Sequence, residues 1–490
     1  MKRILLIVVA ALVVLAVVLV VRTLRLPAPA PAAEASPAIA LDADSAAAHL
    51  AAAVRFPTVS YASGAPIDTA AFLGLHRYLE ETFPLVHGAL TREVVGGLSL
   101  LYTWPGADPS LAPVVLMGHM DVVPVPEETL GRWSHAPFAG EIADGFVWGR
   151  GTLDDKVTVI AILEAVETLL REGHQPPRTV YLAFGHDEEV SGIYGAKAMV
   201  DLLVSRGVKP ALVLDEGGAF AENLLPGLPG RAAIVGVAEK GYLSLRLTAD
   251  AAGGHSSMPP PETAIGILSQ AVVNLERDRF PLRLDGPTRT MVETMAPYAP
   301  FPRRLVLANL WLTSPLVVRT MSRAPLGAAL LGTTTAPTML DGGIKDNVLP
   351  ARATAVVNFR IRPGETAATV TEQVRRIIDD ERITVAPLDT VGTDPSPVSD
   401  VGSPAYGLIE ATIREMAPGE ALPVVPYLVM GGTDAKYWAE HTDRAFRFLA
   451  VPLRDGDLQR IHGTDERVGI QDFAAAVGFF IRLIQNIDKL

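Results

Sequence analysis

Apolar positions along the chain fall into three regimes. The first is an unbroken apolar run over 4–21, preceded by Lys2 and Arg3 and closed by Arg22 and Arg25. At about 1.5 Å per residue this run is roughly 27 Å long, close to a hydrocarbon core of about 30 Å. The apolar region of a cleaved signal peptide is only about 7–15 residues, so an uncleaved anchor over 1–25 is favoured. Alanine-rich sites at 28–30 and 33–35 keep secretion after cleavage as the alternative, and a buried soluble helix is the plain one. The short basic stub predicts a cytoplasmic N-terminus with the rest of the chain exported, although Arg22 and Arg25 put similar charge on the other side. Residues 26–40, rich in proline and alanine, read as a stiff spacer.

The second regime covers 41–238 and 393–490. Short apolar runs at 114–117, 179–184, 211–214 and 446–451 read as buried strands. They alternate with helical periodicity at 156–172, 195–206, 403–416 and 472–487. Such alternation predicts an α/β domain with a largely parallel or mixed sheet covered by helices on both faces. The third regime, 239–392, begins with strict alternation over 241–249. Its order is strand, helix (262–276), strands (335–340 and 354–361), helix (366–380), strand (383–388). That is the split β-α-β-β-α-β unit of a ferredoxin-like α+β domain, a lid set into the larger domain. Residues 280–331 fit none of it and read as an inserted packed helical elaboration. An apolar substrate wall or a membrane-contacting patch is the functional alternative.

Composition narrows this picture. The chain has 490 residues, 49% of them hydrophobic, enough for a sizeable core. A net charge of −12 leaves no basic footprint for nucleic acid. The absence of cysteine removes disulfides, thiolate metal sites and cysteine nucleophiles, so any metal must sit on His, Asp and Glu.

Those residue types concentrate at the ends of the predicted strands, where ligands of open α/β sheets collect. Gly118-His119-Met120-Asp121 offers a ring nitrogen and a carboxylate able to orient it. Asp154-Asp155 opens the 156–172 helix, either as a plain N-cap or as a carboxylate bridging two cations. His186-Asp187-Glu188-Glu189 follows a buried strand, and adjacent acids there repel unless a cation or proton relieves them. Asp215-Glu216-Gly217-Gly218 and His462-Gly463-Thr464-Asp465-Glu466 complete the series.

In order and rough spacing, GHMD, GRGTLDDK, DEE, LDEGG, GGHSS, GGTDA and HGTDE resemble the M20 metallopeptidases from about Leu41 to the C-terminus. Thr333 to Thr338 and Gly342 to Pro350 resemble the carboxypeptidase S branch, which includes N-fatty-acyl-amino-acid synthase/hydrolases. The resemblance implies a zinc-exopeptidase-like catalytic domain (41–238 and 393–490) and a lid or dimerisation domain (239–392). It implies two zinc ions, with cobalt or manganese as substitutes. One would be held by His119 and Asp215, the other by Glu189 and His462, with Asp154 bridging. Asp121 would orient His119, Glu188 would be the general base, and His255 would stabilise the carbonyl oxygen, reaching a partner's site in dimeric relatives. Arg360, Asn347, Gly432 and Thr433 would clamp the substrate carboxylate, with Arg362 as the rival of Arg360. The implied reaction is hydrolysis, or formation, of the amide bond of an N-acyl amino acid. Release of C-terminal residues from short peptides is the alternative, and a non-catalytic membrane-tethered binding protein the remote one.

Overall fold

The computed structural model describes residues 1–33, 37, 39–61, 67–224, 230–388 and 392–490, so part of the 26–40 spacer lies outside the described residues. Its centre is a ten-stranded mixed sheet. The strands Val180–Gly185, Val114–His119, Leu212–Asp215 and Ala445–Arg447 lie side by side and parallel. Antiparallel pairs extend one edge through Ser99–Trp104 and Thr91–Val95, and the other through Arg231–Glu239 and Ala219–Glu222. The sequence pattern did not register these edge strands, whose alternation is short and interrupted by Gly96, Gly97 and the 225–230 segment.

The parallel strands are apolar on both faces because both faces are covered. Leu116, Leu182 and Leu214 pack with the helices Lys156–Arg171, Ile470–Gln485 and Ala43–Val54, while Val115, Ala183 and Val213 pack with Met199, Leu203 and Trp438. The helix Lys156–Arg171 is buried from Lys156 to Leu169. It ends where the Gly173 and His174 N–H groups fold back onto the Leu170 and Leu169 carbonyls, a turn that needs the positive φ of Gly173 (75°). The predicted strand 446–451 is instead two short strands, Ala445–Arg447 and Pro452–Leu453, parted by a bend whose apolar residues remain buried.

A second, antiparallel four-stranded sheet runs Thr334–Gly342, Arg352–Ile361, Gly241–Asp250, Ile383–Pro387. Alternate residues of Gly241–Asp250 are buried under the helices Ala264–Arg277 and Ala367–Ile378. The helices of the insertion, Gly286–Met295, Phe301–Leu307, Leu310–Met321 and Pro325–Leu331, take no part in this layer. Their Met291, Val292, Met295, Val317 and Leu331 pack instead on Ala232, Ala238, Val425 and Tyr427 at the edge of the large sheet. At the N-terminus, Lys2–Leu24 forms one helix with a mean hydropathy of 3.7, long and apolar enough to cross a membrane.

Candidate metal centre

The carboxyl ends of the parallel strands deliver the acidic loops to one place. The strand Val114–His119 ends on His119, whose buried ring donates from Nδ1 to the Asp121 carbonyl oxygen at 3.0 Å. That bond directs Nε2 to Asp154 Oδ1 at 2.9 Å and Glu216 Oε1 at 3.5 Å. From the far side, His462 Nε2 approaches Asp154 Oδ2 at 3.0 Å and Glu189 Oε2 at 3.3 Å. Asp154 therefore lies between two histidines, one on each oxygen. His119, Asp154 and Glu216 place one donor atom each within 4.8 Å of one another, and so do Asp154, Glu189 and His462.

Asp121 is fully buried and ties the halves together. Its Oδ1 and Oδ2 accept the Glu188 and Glu189 N–H groups, both at 3.2 Å, while Oδ1 also lies 3.3 Å from His119 Nδ1. One carboxylate thus fixes a histidine ring and the turn that carries two acids. Asp187 extends the brace by accepting the Tyr194 and Gly195 N–H groups at 2.8 Å each. On the other side, Glu466 Oε1 accepts from Gly151, Leu153 and Asp154, at 2.9, 2.8 and 3.3 Å. Its other oxygen pairs with the buried Arg150 guanidinium. The His462 loop and the Asp154 loop are joined by this contact.

The electrostatics are those of a crowd of acids. Burial pushes the Glu188 carboxyl well above its usual range, reinforced by Asp434, Glu216 and Glu189. Burial and Asp154 push Glu216 up to about 8. Burial works against a charged His119, but Asp121, Asp154 and Glu216 outweigh it and hold the ring well above the imidazole range. The Asp154 and Glu189 carboxylates raise His462 to about 10. Such a set is relieved by a cation. Nitrogen and oxygen donors without sulfur suit zinc and its divalent neighbours, and the buried Glu189 Oε1 has no hydrogen-bond partner among the described residues. The donor set fits a metal.

The structure places Glu216 beside His119, where the resemblance implies Asp215. Asp215 closes the strand Leu212–Asp215 on the face of Val213, and its Oδ2 accepts the Ala435 N–H at 2.6 Å. Asp434 is a further acid that went unremarked within GGTDA. Its carboxylate is buried without a hydrogen-bond partner among the described residues, and a Cβ on Gly192 or Gly185 would come within 2.1 and 2.8 Å of its oxygens.

The expected clamp residues stand apart from this cluster. The Thr433 N–H and hydroxyl both donate to Glu239, at 2.9 and 2.8 Å, and Glu239 also pairs with buried Arg447. A Cβ on the neighbouring Gly432 would come no nearer than 3.7 Å to Glu239 Oε2, so close packing does not demand glycine there. Arg360 lies over the Tyr242 ring at 4.9 Å and makes no ion pair among the described residues, whereas Arg362 is engaged by Asp285. His255 and Asn347 share an exposed ribbon in which Gly254–His255 pairs with Val348–Leu349. The Ser256 N–H donates to the Asn347 carbonyl at 3.2 Å, and His255 Nδ1 accepts the Ser257 N–H at 3.1 Å. Neither contacts the metal cluster.

A mixed α/β sheet with His and carboxylate donors converging on a shared aspartate defines a metallohydrolase. Residues 115–486 match the model of peptidase family M20/M25/M40, and the chain belongs to this family. It is 42% identical over 443 residues to the N-fatty-acyl-amino acid synthase/hydrolase PM20D1 of Xenopus tropicalis, covering 90% of this chain and 85% of that protein. A carboxypeptidase S-like protein of Dictyostelium discoideum is 39% identical over 447 residues, covering 90% and 85%. Among solved structures, the M20 metallo-carboxypeptidase Sso-CP2 of Sulfolobus solfataricus superposes with a TM-score of 0.65 at 18% identity, over 90% of this chain and 98% of that one. Family and donor set together imply a divalent cation.

Proposed function

We propose that the chain is a two-zinc amidohydrolase acting on N-acyl amino acids. The observation that carries this reading is Asp154 held between His119 and His462, with Glu188 fixed alongside by Asp121. His119 and Glu216 would hold one ion, Glu189 and His462 the other, with Asp154 shared. When bound, the ions supply Lewis acidity, polarising the amide carbonyl and bringing water into its titration range near about 7.

Glu188 does the proton work. Its raised affinity for a proton, from burial and neighbouring acids, suits a group that takes a proton from water and returns it to the leaving amine. Asp121 keeps it in place through the backbone. Arg360, with no acid partner among the described residues, would receive the substrate carboxylate, aided by Asn347 and the Gly432-Thr433 backbone. His255 would stabilise charge on the carbonyl oxygen. Its exposed ribbon, distant in contacts from the cluster of its own chain, supports delivery to a second copy through the lid. The similarity to PM20D1 proteins favours acyl amino acids, and that to carboxypeptidase S-like proteins keeps C-terminal residues of peptides as the second substrate class. The apolar helix Lys2–Leu24 would anchor the enzyme with its catalytic part on the exported side.

The test is Glu188→Ala. Turnover of long-chain acyl amino acids should vanish while elemental analysis still finds both metals. Near-wild-type turnover would show the base assignment to be wrong. Profiling the active enzyme against acyl amino acids and blocked dipeptides separates the two substrate classes.

A further inference from the structure

The helices of the 280–331 insertion leave an apolar face that the described residues do not cover, and its position relative to the N-terminal helix says what covers it. The helix Leu310–Met321 buries Leu310, Val317 and Met321 against the large sheet. Its outer face shows Trp311 (55% exposed), Leu312 (44%) and Leu316 (54%), and the preceding helix adds Phe301 (48%). Trp104, Trp148 and Trp438 are buried and Trp133 is half-buried, so Trp311 is the most exposed tryptophan of the chain. The stripe then changes character, because exposed Arg319 and Arg323 follow Leu316.

The link to the N-terminal helix is a chain of hydrogen bonds. The Trp311 indole N–H donates to Asn309 Oδ1 at 3.4 Å. The same buried Asn309 donates from Nδ2 to the Leu19 carbonyl at 3.1 Å and lies 3.4 Å from Thr23 Oγ1. Leu19 lies five residues before the end of the helix at Leu24, so Asn309 sits about 7.5 Å inside that end. Amphipathic helices lying on a bilayer bury their apolar face about 5–10 Å deep. Tryptophan collects at that level, and arginines meet the headgroups above it.

We infer that the insertion is a membrane-docking element, which seats Phe301, Trp311, Leu312 and Leu316 in the interfacial layer of the bilayer spanned by the N-terminal helix. This rests on the anchor reading given above. The arrangement would hold the large sheet's edge against the lipid surface.

The test uses the full-length chain in vesicles of phosphatidylcholine and phosphatidylglycerol, with acyl chains either plain or brominated near the headgroup. Flotation reads the anchor. The emission contributed by Trp311, taken as the difference between wild type and Trp311→Phe, reads the docking. The expected result is flotation together with a several-fold loss of the Trp311 emission in brominated vesicles. Leu312→Glu with Leu316→Glu should float equally but lose most of that quenching. If the protein floats and the Trp311 emission is the same in both lipids, the docking inference is overturned while the anchor stands. If it does not float, both fall. If the Trp311 emission is shielded from bromine and from aqueous iodide alike, a second protein copy covers the face, and the inference is again overturned.

Discussion

Glu466→Gln isolates the contact that joins the His462 loop to the Asp154 loop. The substitution keeps the shape and keeps one oxygen for the Gly151, Leu153 and Asp154 N–H groups. It replaces the oxygen facing Arg150 with an amide nitrogen, a donor set against a buried guanidinium that is 1% exposed. Arg150 would keep only the Gly463 carbonyl at 3.0 Å and the Trp133 ring at 5.5 Å. Breaking a buried ion pair from one side costs about 3–5 kcal/mol, against a total stability of about 5–15 kcal/mol. Loosening the loop that carries Asp154 should also weaken metal binding by about 10–100-fold, as expected for partners that orient ligands. Urea unfolding of the metal-free protein, followed by tryptophan emission that includes Trp133, measures the first effect. Competition with a zinc chelator measures the second. The double variant Arg150→Met with Glu466→Gln removes the stranded charge and should recover a large part of the loss, giving a coupling of about 2 kcal/mol or more. If Glu466→Gln lies within about 1 kcal/mol of wild type and binds metal unchanged, the pair is not what holds the loops.

Glu216→Gln and Asp215→Asn should part company: the first loses one metal by elemental analysis, while the second keeps both and loses thermal stability through the Ala435 contact. The reverse pattern would restore Asp215 as the ligand. Gly192→Ala must adopt φ 70° and bring its Cβ to 2.1 Å from Asp434, so the Glu188–Glu189 turn shifts. It should cost about 1–2 kcal/mol in backbone strain alone and lower kcat by more than about tenfold, an effect missing if the turn is plastic. Lys240, buried and donating to the Gly332 carbonyl at 2.6 Å, titrates near about 8 because burial and then Arg362 disfavour its charge. Between pH 8 and its unfolded value of 10.5 the unfolded chain holds the extra proton, so stability rises with pH through that window. At about 1.36 kcal/mol per pH unit the gain is roughly 3 kcal/mol, and Lys240→Met should abolish it. Parallel stability curves for the two proteins between those pH values would refute the assignment.

The site was legible because strand ends in an α/β sheet are local features with a collective meaning. Each acidic loop taken singly reads as an N-cap or a solvated turn, but loops that follow parallel strands must meet. His119, Asp154, Glu189 and His462 do meet. Asp215 shows where that logic stops. Alternation puts Asp215 on the face of Val213, where it also puts His119, but tertiary packing brings Trp438 and Ala439 over that face and the Ala435 N–H onto the Asp215 carboxylate. The choice between two adjacent acids therefore depended on contacts more than two hundred residues away in the chain. Asp434 was missed for the same reason: its significance comes from Gly185 and Gly192, which leave the room its carboxylate occupies.

The alternation of the four-stranded sheet was plain in the sequence, because one buried face suffices to write it, and Gly241–Asp250 shows it residue by residue. The insertion wrote no comparable signal, because its apolar residues serve two surfaces at once. Met291, Val317 and Leu331 answer to the edge of the large sheet, while Trp311, Leu312 and Leu316 are exposed and belong to no buried cluster of the described residues. A helix with two apolar faces blurs the single-stripe pattern by which a packed helix is recognised. The ambiguity between packed elaboration and membrane patch is thus a property of the segment. Its inner face is protein core, and its outer face is tied through Asn309 to the one helix long and apolar enough for a bilayer among the described residues.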